Sequence, residues 1–389
     1  MISIEEALLS IKEQSIQTQV VEKDIQSSLG YYLAETILAP FDLPDFDNSA
    51  MDGYALCGID ESYQLTGEVA AGDTNDHEMK AGEAVRIFTG GKIPKSTTAV
   101  VMQEKTSVSG SQLTIEGTVS EGQNIRLKGS EIQEGSEVFC SGHQITPASI
   151  GLIGSLGKTN LKVYKKPTVR LITTGNELIA PGQERKAGQI YESNSLAIIG
   201  ALNQLGFKCS EKQQISDDYE KISSGIKSYL DKSDVLILSG GISVGDYDFV
   251  KEALTENGVQ EIFYKVFQKP GKPLYFGRKD HTFVFALPGN PASSLSCFYI
   301  YVIPLLQRLS GAIGGGGLTR VSVPLAKDFE LKGDRPAFLK ASLANNQVKI
   351  LDGQGSSMIH SMALGNALAF IPQPSKLQSG DLIECILIS

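Results

Sequence analysis

The sequence predicts a multidomain α/β protein in which a central, doubly wound and mostly parallel sheet is flanked by β-rich domains. Three observations support this fold class. The chain of 389 residues is too long for one growing hydrophobic core. Between residues 168 and 309, short apolar β-type runs alternate with helical patterns, as in parallel sheets. Before and after that region, short β-type runs are separated by Gly, Pro, Asn and Ser turns.

The first part of the chain predicts two domains. Ile4, Ala7 and Ile11 are spaced for a helix, and Ser3 with Glu6 forms a capping box. A second apolar helix, with Pro147 as its first residue, is expected to pack back on the first. We therefore expect an elongated, discontinuous domain I of residues 1–50 and 133–167, and a β-rich domain II of residues 51–132.

Strand and helix patterns alternate in the next part, which we assign to an α/β domain III of residues 168–311. Its predicted helices cover residues 193–205, residues 217–230 with Asp217 as the starting residue, and residues 291–309. A glycine-rich linker follows. Alternating apolar residues then predict a β-barrel-like domain IV of residues 318–389.

Composition excludes several classes of protein. The formal net charge is −9, and no run of Lys or Arg suggests binding to nucleic acid or membrane. Neither a signal peptide nor an 18-residue apolar run is present, which predicts a cytoplasmic protein. The five cysteines are scattered, which argues against a disulfide framework and against a structural zinc site.

Three glycine-containing turns follow predicted strands, and the topology would gather them at one edge of the sheet. They are TTGNEL (residues 173–178), SGGISVGDYD (residues 239–248) and LPGNP (residues 287–291). A strand, a glycine turn and a helix N-terminus form an anion site, but bare carboxylates repel phosphate unless Mg²⁺ bridges them. The turns carry Glu177, Asp246, Asp248 and Asn290. Three lysines that follow shortly after the second turn, Lys265, Lys269 and Lys272, could bind an oxyanion. A metal-dependent site for a phosphorylated ligand is predicted.

One competing interpretation is a serine hydrolase, because GISVG matches the G-x-S-x-G pattern with Ser243 as the nucleophile. The serine is not placed directly between strand and helix, and the two nearby carboxylates would disfavour an oxyanion. The patterns typical of P-loop ATPases and of dinucleotide-binding dehydrogenases are absent.

The motifs together closely resemble the MoeA family, the molybdopterin molybdenumtransferases, which are related to the catalytic part of gephyrin. They are FDNSAMDGYA, RIFTGGKIP, AVVMQE, TTGNEL, GQIYESNS, SGGISVGDYD, KPGKP, LPGNP and LGNALAF. The resemblance implies four domains, with domain III similar to molybdopterin adenylyltransferases. It also implies a homodimer in which the β-rich domain of one subunit completes the cleft of the other. Molybdopterin adenylyltransferase and proteins that deliver the product to molybdoenzymes are further possible partners.

The implied reaction uses Mg²⁺ or a similar ion, molybdate and adenylylated molybdopterin. The phosphoanhydride is hydrolysed, AMP is released, and molybdenum is inserted into the dithiolene. Carried over by position, the acids of the active site are Asp52, Glu177, Asp217 and Asp248, of which Glu177 and Asp248 would lie at the metal. The substrate-binding positions are Thr89, Gly240, Gly241, Ser243, Lys265, Lys269, Lys272, Pro288, Pro291 and Ser356.

Some positions depart from the family pattern. Glu131 stands where Asp is usual, with Arg126 in register before it, and Lys340 stands where Arg is common. Asp218 lies next to Asp217, so the functional acid could be either residue. A non-catalytic scaffold on the same fold is the alternative function. The sequence leaves open whether molybdate or tungstate is preferred, and which divalent ion is used.

Overall fold

The computed structural model describes residues 1–73, 77–242, 249–314 and 316–388. These residues form two compact units. The first unit comprises Met1–Ala34, Gly142–Pro147 and Asn160–Ser389, and the second comprises Glu35–Ser141 and Ala148–Thr159. Both units are therefore discontinuous in the sequence. The four-domain boundaries given above stay a prediction.

The α-helices of the described residues have the following bounds: α1 Ile4–Lys12, α2 Pro147–Ser155, α3 Asn194–Gln204, α4 Tyr219–Leu230, α5 Phe249–Glu256, α6 Pro291–Cys297, α7 Ile303–Leu309 and α8 Ile359–Leu364. A π-helical segment, Phe298–Val302, joins α6 to α7. Short 3₁₀ helices cover Ile25–Ser28 and Gln103–Lys105. None of the helices in these ranges is long and apolar enough to cross a membrane.

The strands before residue 165 are β1 Val20–Asp24, β2 Ile37–Leu38, β3 Asn48–Ser49, β4 Gly53–Leu56, β5 Ser62–Val69, β6 Glu83–Ile87, β7 Ala99–Met102, β8 Thr106–Ser109, β9 Gln112–Ile115, β10 Ile125–Arg126, β11 Glu137–Phe139 and β12 Asn160–Tyr164. The later strands are β13 Val169–Thr174, β14 Leu178–Ile179, β15 Ile190–Tyr191, β16 Cys209–Ile215, β17 Val235–Ser239, β18 Gln260–Tyr264, β19 Tyr275–Lys279, β20 Thr282–Leu287, β21 Arg320–Pro324, β22 Phe329–Glu330, β23 Ala337–Ala344, β24 Gln347–Ile350, β25 Ala367–Ile371, β26 Lys376–Leu377 and β27 Leu382–Leu387.

The central sheet has six strands in the order β16-β13-β17-β20-β19-β18. Strands β16, β13, β17 and β20 are parallel to one another. Strand β19 is antiparallel to both of its neighbours, β20 and β18. Strand β19 was not predicted, and it reaches β20 through a tight turn with Asp280 at a φ of 51°. The prediction of a mostly parallel sheet is confirmed.

The inner strands β13, β17 and β20 are buried on both faces. Alternate residues along each strand point to opposite sides, and each side packs in its own core. Leu171, Ile237 and Phe285 pack in one core with residues of α1, α3, α6 and α7. Ile172 and Leu236 pack in the other core with residues of α4 and α5. A strand that is covered by helices on both faces has a continuous apolar sequence. Helices on both faces of the sheet are what defines the doubly wound arrangement.

Helix α4 begins later than predicted. Its first residue is Tyr219, and its N-cap is Asp218 in an extended conformation, with the Asp218 side chain accepting a hydrogen bond from Lys221 N. Asp217 is therefore not the starting residue of the helix. The two adjacent acids occupy different environments as a result.

The second unit contains a six-stranded sheet, in the order β7-β4-β6-β5-β9-β8, with small apolar cores on its two faces. The sheet at the end of the chain is antiparallel, in the order β21-β27-β25-β23-β24. Its two edge strands meet near Leu325 and Val348, where Ala326 N donates to Val348 O at 2.8 Å. The β-rich flanking regions of the fold prediction are thus confirmed.

Candidate functional site

A cavity of about 680 Å³ lies at the carboxyl ends of the parallel strands β13, β17 and β20. This is the edge of an α/β sheet at which ligands bind. All three predicted turns contribute to its wall. Its lining residues are Thr173, Thr174, Gly175, Glu177, Leu178, Ile190, Tyr191, Glu192, Ser193, Asn194, Asp217, Ser239, Gly240, Gly241, Ile242, Pro273, Pro288, Gly289, Asn290, Pro291 and Ser357.

The turn after β17 requires glycine. Gly240 and Gly241 have φ angles of 99° and 62°, in the left-handed region. A Cβ atom on Gly240 would lie 2.5 Å from the backbone oxygen of Thr174, which is far inside contact distance. The backbone of the turn therefore packs directly against the end of β13, and it leaves the space beyond it for a ligand.

We expect Gly240→Ala to destabilise the protein by at least about 3 kcal/mol, because an unfavourable φ is combined with a backbone clash. Gly182→Ala is the matched control, since Gly182 has a similar φ of 91° and open space around its Cβ position. That control should cost only about 1–2 kcal/mol. Urea denaturation monitored by circular dichroism gives both values. Equal losses in the two variants would show that the contact with Thr174 is unimportant.

Asn194, the first residue of α3, joins two of the turns. Its side-chain nitrogen donates to Ser239 Oγ at 2.9 Å and to Gly289 O at 2.8 Å. Ser239 Oγ in turn lies 3.1 Å from Ser294 Oγ on α6. Asn194 was not among the predicted site residues, although it belongs to the GQIYESNS motif. An amide that bridges two strand ends preserves the shape of the cavity.

Asp217 lies at the cavity and Asp218 does not line it. Asp217 Oδ2 accepts a hydrogen bond from Asn176 N at 3.1 Å, and Asn176 Oδ1 accepts one from Asp217 N at 3.0 Å. This reciprocal pair connects the TTGNEL turn to the segment before α4. Glu177 lines the same cavity, and no residue in the described ranges donates a hydrogen bond to its carboxylate.

Glu192 is a further carboxylate of the cavity wall, and it was not predicted. It is only 5% exposed. Its Oε1 accepts a hydrogen bond from Ser195 N at 2.8 Å, and its Oε2 accepts one from Ser195 Oγ. The same hydroxyl lies 3.4 Å from Lys212 Nζ. These bonds compensate the desolvation of the carboxylate and anchor the segment before α3.

The loop after β24 reaches the cavity through Ser357, whereas Ser356 does not line it. Ser356 Oγ accepts a hydrogen bond from Asn290 Nδ2 at 3.0 Å. The predicted residue Ser356 thus connects its loop to the LPGNP turn, in which Pro288 and Pro291 both line the cavity.

Lys340 is hydrogen-bonded to the backbone of this loop, which follows β24. It is 3% exposed, and its ammonium donates to the backbone oxygens of Gly353, Gly355 and Met358 at 2.6, 2.9 and 3.1 Å. Burial lowers the pKa of Lys340 from its usual value. The ammonium of Lys340, at the position where arginine is common, therefore donates three hydrogen bonds within the protein. Its partners are the carbonyl groups that shape the loop.

The three predicted lysines do not line this cavity. Lys269 and Lys272 are exposed and Lys265 is half-buried, with its ammonium 4.7 Å from the ring centroid of Tyr264. Pro273, next to Lys272, does line the cavity. The three lysines are therefore near a cavity-lining residue in sequence but do not line the cavity themselves. Their substrate-binding role stays a prediction.

Ser243 and Asp248 lie outside the described residues, as do Gly245 and Asp246. The roles predicted for Ser243 and Asp248 therefore rest on the sequence.

Asp52 and Thr89 meet in the second unit, where β4 and β6 are antiparallel neighbours and pair Gly53 with Ile87. Asp52 Oδ1 accepts hydrogen bonds from Thr89 N and from Thr89 Oγ1, both at 2.7 Å. These two bonds, helped by the positive charge of Arg86, hold the pKa of Asp52 below its ordinary value. Asp52 is therefore ionised at neutral pH and at mildly acidic pH.

We expect Thr89→Ala to raise the pKa of Asp52 part of the way to its ordinary value, because the hydroxyl donor is lost while the backbone donor remains. Any stabilisation from this lowered pKa is present above the unfolded-state pKa and is lost as pH falls through the folded one. In the variant, that loss should be complete at a higher pH, because the folded-state pKa of Asp52 is higher while its unfolded-state pKa is unchanged. Carbon-13 NMR titration of labelled aspartate measures the shift.

Asp42 is the internal reference for this titration. The N–H of Glu134 and the ammonium of Lys128 lower its pKa, and neither contact involves Thr89. The pKa of Asp42 should therefore stay constant. An unchanged pKa of Asp52 would mean that the hydroxyl of Thr89 contributes nothing to its ionisation.

Glu131, which stands where Asp is usual, and Arg126, which is in register before it, line a second cavity of about 480 Å³ in the second unit. Leu43, Pro44 and Asn48 form part of the same wall. The side-chain oxygen of Asn48 is buried without a hydrogen-bond partner among the described residues. The two charged residues thus lie in the wall of one cavity within their own unit.

Comparisons with known families cover nearly the whole chain. Residues 2–157 match the MoeA N-terminal region (domain I and II), residues 170–308 a probable molybdopterin binding domain, and residues 322–388 the MoeA C-terminal region (domain IV). A molybdopterin molybdenumtransferase of Haemophilus influenzae is 36% identical, over 80% of this chain and 78% of its own. One of Staphylococcus epidermidis is 30% identical, over 99% of this chain and 95% of its own.

Solved structures give the same result. A molybdopterin biosynthesis MoeA protein of Pyrococcus horikoshii OT3 is similar with a TM-score of 0.85 at 27% identity, over 100% of both chains. Fold and matches together define an α/β transferase of molybdenum cofactor biosynthesis. The chain belongs to the MoeA family. The predicted family, fold class and enzyme class are confirmed.

Proposed function

We propose that this protein inserts molybdenum from molybdate into adenylylated molybdopterin, with hydrolysis of the phosphoanhydride and release of AMP. The observation that carries the proposal is the cavity at the strand ends, which places Glu177 and Asp217 beside the glycine turn of residues 239–241 in a chain of this family. In the reaction, water breaks the phosphoanhydride bond, so that AMP and the phosphate ester of molybdopterin separate and a proton is released. The two thiol groups of molybdopterin then displace one oxygen of molybdate, which leaves with their two protons as water, and the oxidation state of molybdenum does not change.

The carboxylates of the cavity fit a magnesium ion. The described residues contain no cluster of three or more His, Cys, Asp or Glu side chains that could hold a metal by itself. Mg²⁺ does not require such a cluster, since it is usually bound through one or two carboxylates, substrate phosphates and water. Glu177 has a carboxylate without a donor in the described ranges, and Asp217 retains one oxygen outside its contact with Asn176. Asp248, assigned from the sequence, would complete the set.

A bound magnesium ion would supply positive charge for the phosphate oxygens. The residues of this chain then have separate tasks in our proposal. Glu177 and Asp248 hold the metal, and Asp217 orients the phosphoanhydride that is hydrolysed. Gly240 and Gly241 let the ligand approach the backbone, while Pro288 and Pro291 shape the opposite wall. The three lysines at positions 265, 269 and 272 attract molybdate and phosphate as point charges.

We propose a homodimer in the cytoplasm, with Asp52 and Thr89 contributed by the partner subunit to the site. The ionised carboxylate of Asp52 would bind a phosphorylated substrate through a bridging cation such as Mg²⁺, and the hydroxyl of Thr89 holds that carboxylate in position. Molybdopterin adenylyltransferase would supply the substrate, and delivery proteins would accept the product.

The test is release of AMP by the purified protein incubated with adenylylated molybdopterin, MgCl₂ and molybdate. We expect release that requires both the divalent ion and molybdate, and that is lost in Asp248→Ala. Omission of each component in turn is the control, and tungstate in place of molybdate measures selectivity. Failure of the wild-type protein to release AMP under the complete conditions would contradict the proposal.

A further inference from the structure

Among the described residues that line the cavity, Tyr191 is the one aromatic side chain. Strands β14 and β15 form a two-stranded parallel ribbon, in which Ile179 pairs with Tyr191. Ile190 and Tyr191 both line the cavity, and they remain 49% and 45% exposed. A large exposed aromatic side chain at the wall of a ligand cavity indicates a contact that is completed only when the ligand binds.

The ring of Tyr191 is held by its own hydroxyl, and the backbone next to it is held by the contacts of Glu192. Its hydroxyl donates to Gln183 O at 2.9 Å. The next residue, Glu192, donates its N–H to Ile179 O at 2.8 Å, and its buried carboxylate accepts the two hydrogen bonds from Ser195. A ring that is fixed before binding loses little conformational freedom when a ligand packs on it.

We propose that the ring of Tyr191 is the surface on which a flat nitrogen heterocycle of the substrate stacks. The inference rests on the proposed function and names a residue that determines which part of the substrate enters this side of the cavity. Every heterocyclic base has a π-face, and an aromatic side chain recognises that face without hydrogen bonds. The polar wall made by Glu177, Asp217 and the glycine turns then remains available for the phosphates.

Two parts of the substrate have this chemistry, the adenine ring and the pterin ring. Both are planar and both carry nitrogen atoms, so the wall does not distinguish them by shape alone. The experiment therefore uses AMP and pterin-6-carboxylate as separate probes. Ribose 5-phosphate, which has the phosphate and the sugar but no ring, is the third probe.

The chain contains no tryptophan, so Tyr191→Trp introduces a single fluorescent reporter at the wall. We expect AMP, pterin-6-carboxylate or both to quench its emission with saturation, and ribose 5-phosphate to have no effect. Leu382→Trp is the control for absorption by the probes, because Leu382 is 71% exposed and lines none of the described cavities. Quenching that is the same in both variants overturns the proposal.

Binding to variants without a reporter tests the ring itself. We expect Tyr191→Ala to weaken binding of the stacking probe by roughly 5- to 100-fold, and Tyr191→Phe to retain it within about threefold. Ribose 5-phosphate should bind both variants as it binds the wild type, which a general loss of structure would not allow. Isothermal titration calorimetry on the full chain measures these affinities.

Unchanged affinity of Tyr191→Ala for both heterocycles overturns the proposal, as does a wild-type protein that binds neither. The assay of AMP release separates this failure from a failure of the proposed function. A wild-type protein that releases AMP while Tyr191→Ala shows unaltered binding would retain the function and lose only the stacking surface.

Discussion

Asp217→Asn is expected to lower kcat for AMP release by roughly 100-fold or more, with little change in stability. An amide oxygen at this position can still accept the hydrogen bond from Asn176 N, so the connection to the TTGNEL turn is preserved. What is removed is the negative charge at the wall of the cavity. The measurement is a steady-state assay of AMP release with the thermal denaturation curve of the same sample.

Asp218→Asn is the matched control, because it removes the same charge from the adjacent residue. Asp218 caps α4 through its contact with Lys221 N, and asparagine is as good an N-cap as aspartate. Both activity and stability should therefore stay near the wild-type values. If the two variants lost activity equally, the distinction between a cavity acid and a capping acid would be wrong.

Lys340→Met is expected to destabilise the protein by about 3 kcal/mol, because three backbone oxygens lose a buried, charged donor. The midpoint of the thermal transition that reports on this part of the chain should fall by about 5–10 °C. Activity should fall as well, by up to roughly 100-fold, since the loop carries Ser357 into the cavity wall. Differential scanning calorimetry and the AMP assay measure the two effects.

Lys349→Met on the neighbouring strand β24 is the control for this substitution. Lys349 is exposed, so its removal should leave the melting temperature and the activity almost unchanged. A variant of Lys340 with wild-type stability but no activity would mean that its ammonium contacts the substrate and does not hold the loop.

Sequence patterns predicted those residues of the candidate site that directly follow the strands of the central sheet. Glu177, Gly240 and Pro288 each follow an apolar run, and parallel strands bring their carboxyl ends to one edge. Local pattern and topology are sufficient for that inference. Asp52 and Thr89 were found only through resemblance to the family, because they are 37 residues apart and become neighbours through the pairing of β4 with β6.

Residues whose function depends on distant partners could not be assigned in this way. Asn194 and Glu192 lie at or next to the start of the helix predicted over residues 193–205. Only the folded chain shows that Asn194 bridges two turns and that Glu192 is a buried anchor. The sequence shows only that Lys340 stands where arginine is common, whereas its three partners in the structure are backbone oxygens of its own loop. A charge in a sequence carries no information about its burial.

The sequence by itself predicted the doubly wound sheet and the three turns at its edge, because apolar periodicity and glycine positions are local properties of the chain, and its motifs indicated the family. The tertiary structure decided which of Asp217 and Asp218 lies at the cavity, how Lys340 is used, and where Tyr191 stands. Each of these depends on contacts between segments that are far apart in sequence or on the capping geometry of one helix. Such contacts are set by packing and hydrogen bonding in three dimensions, and a linear pattern does not contain them.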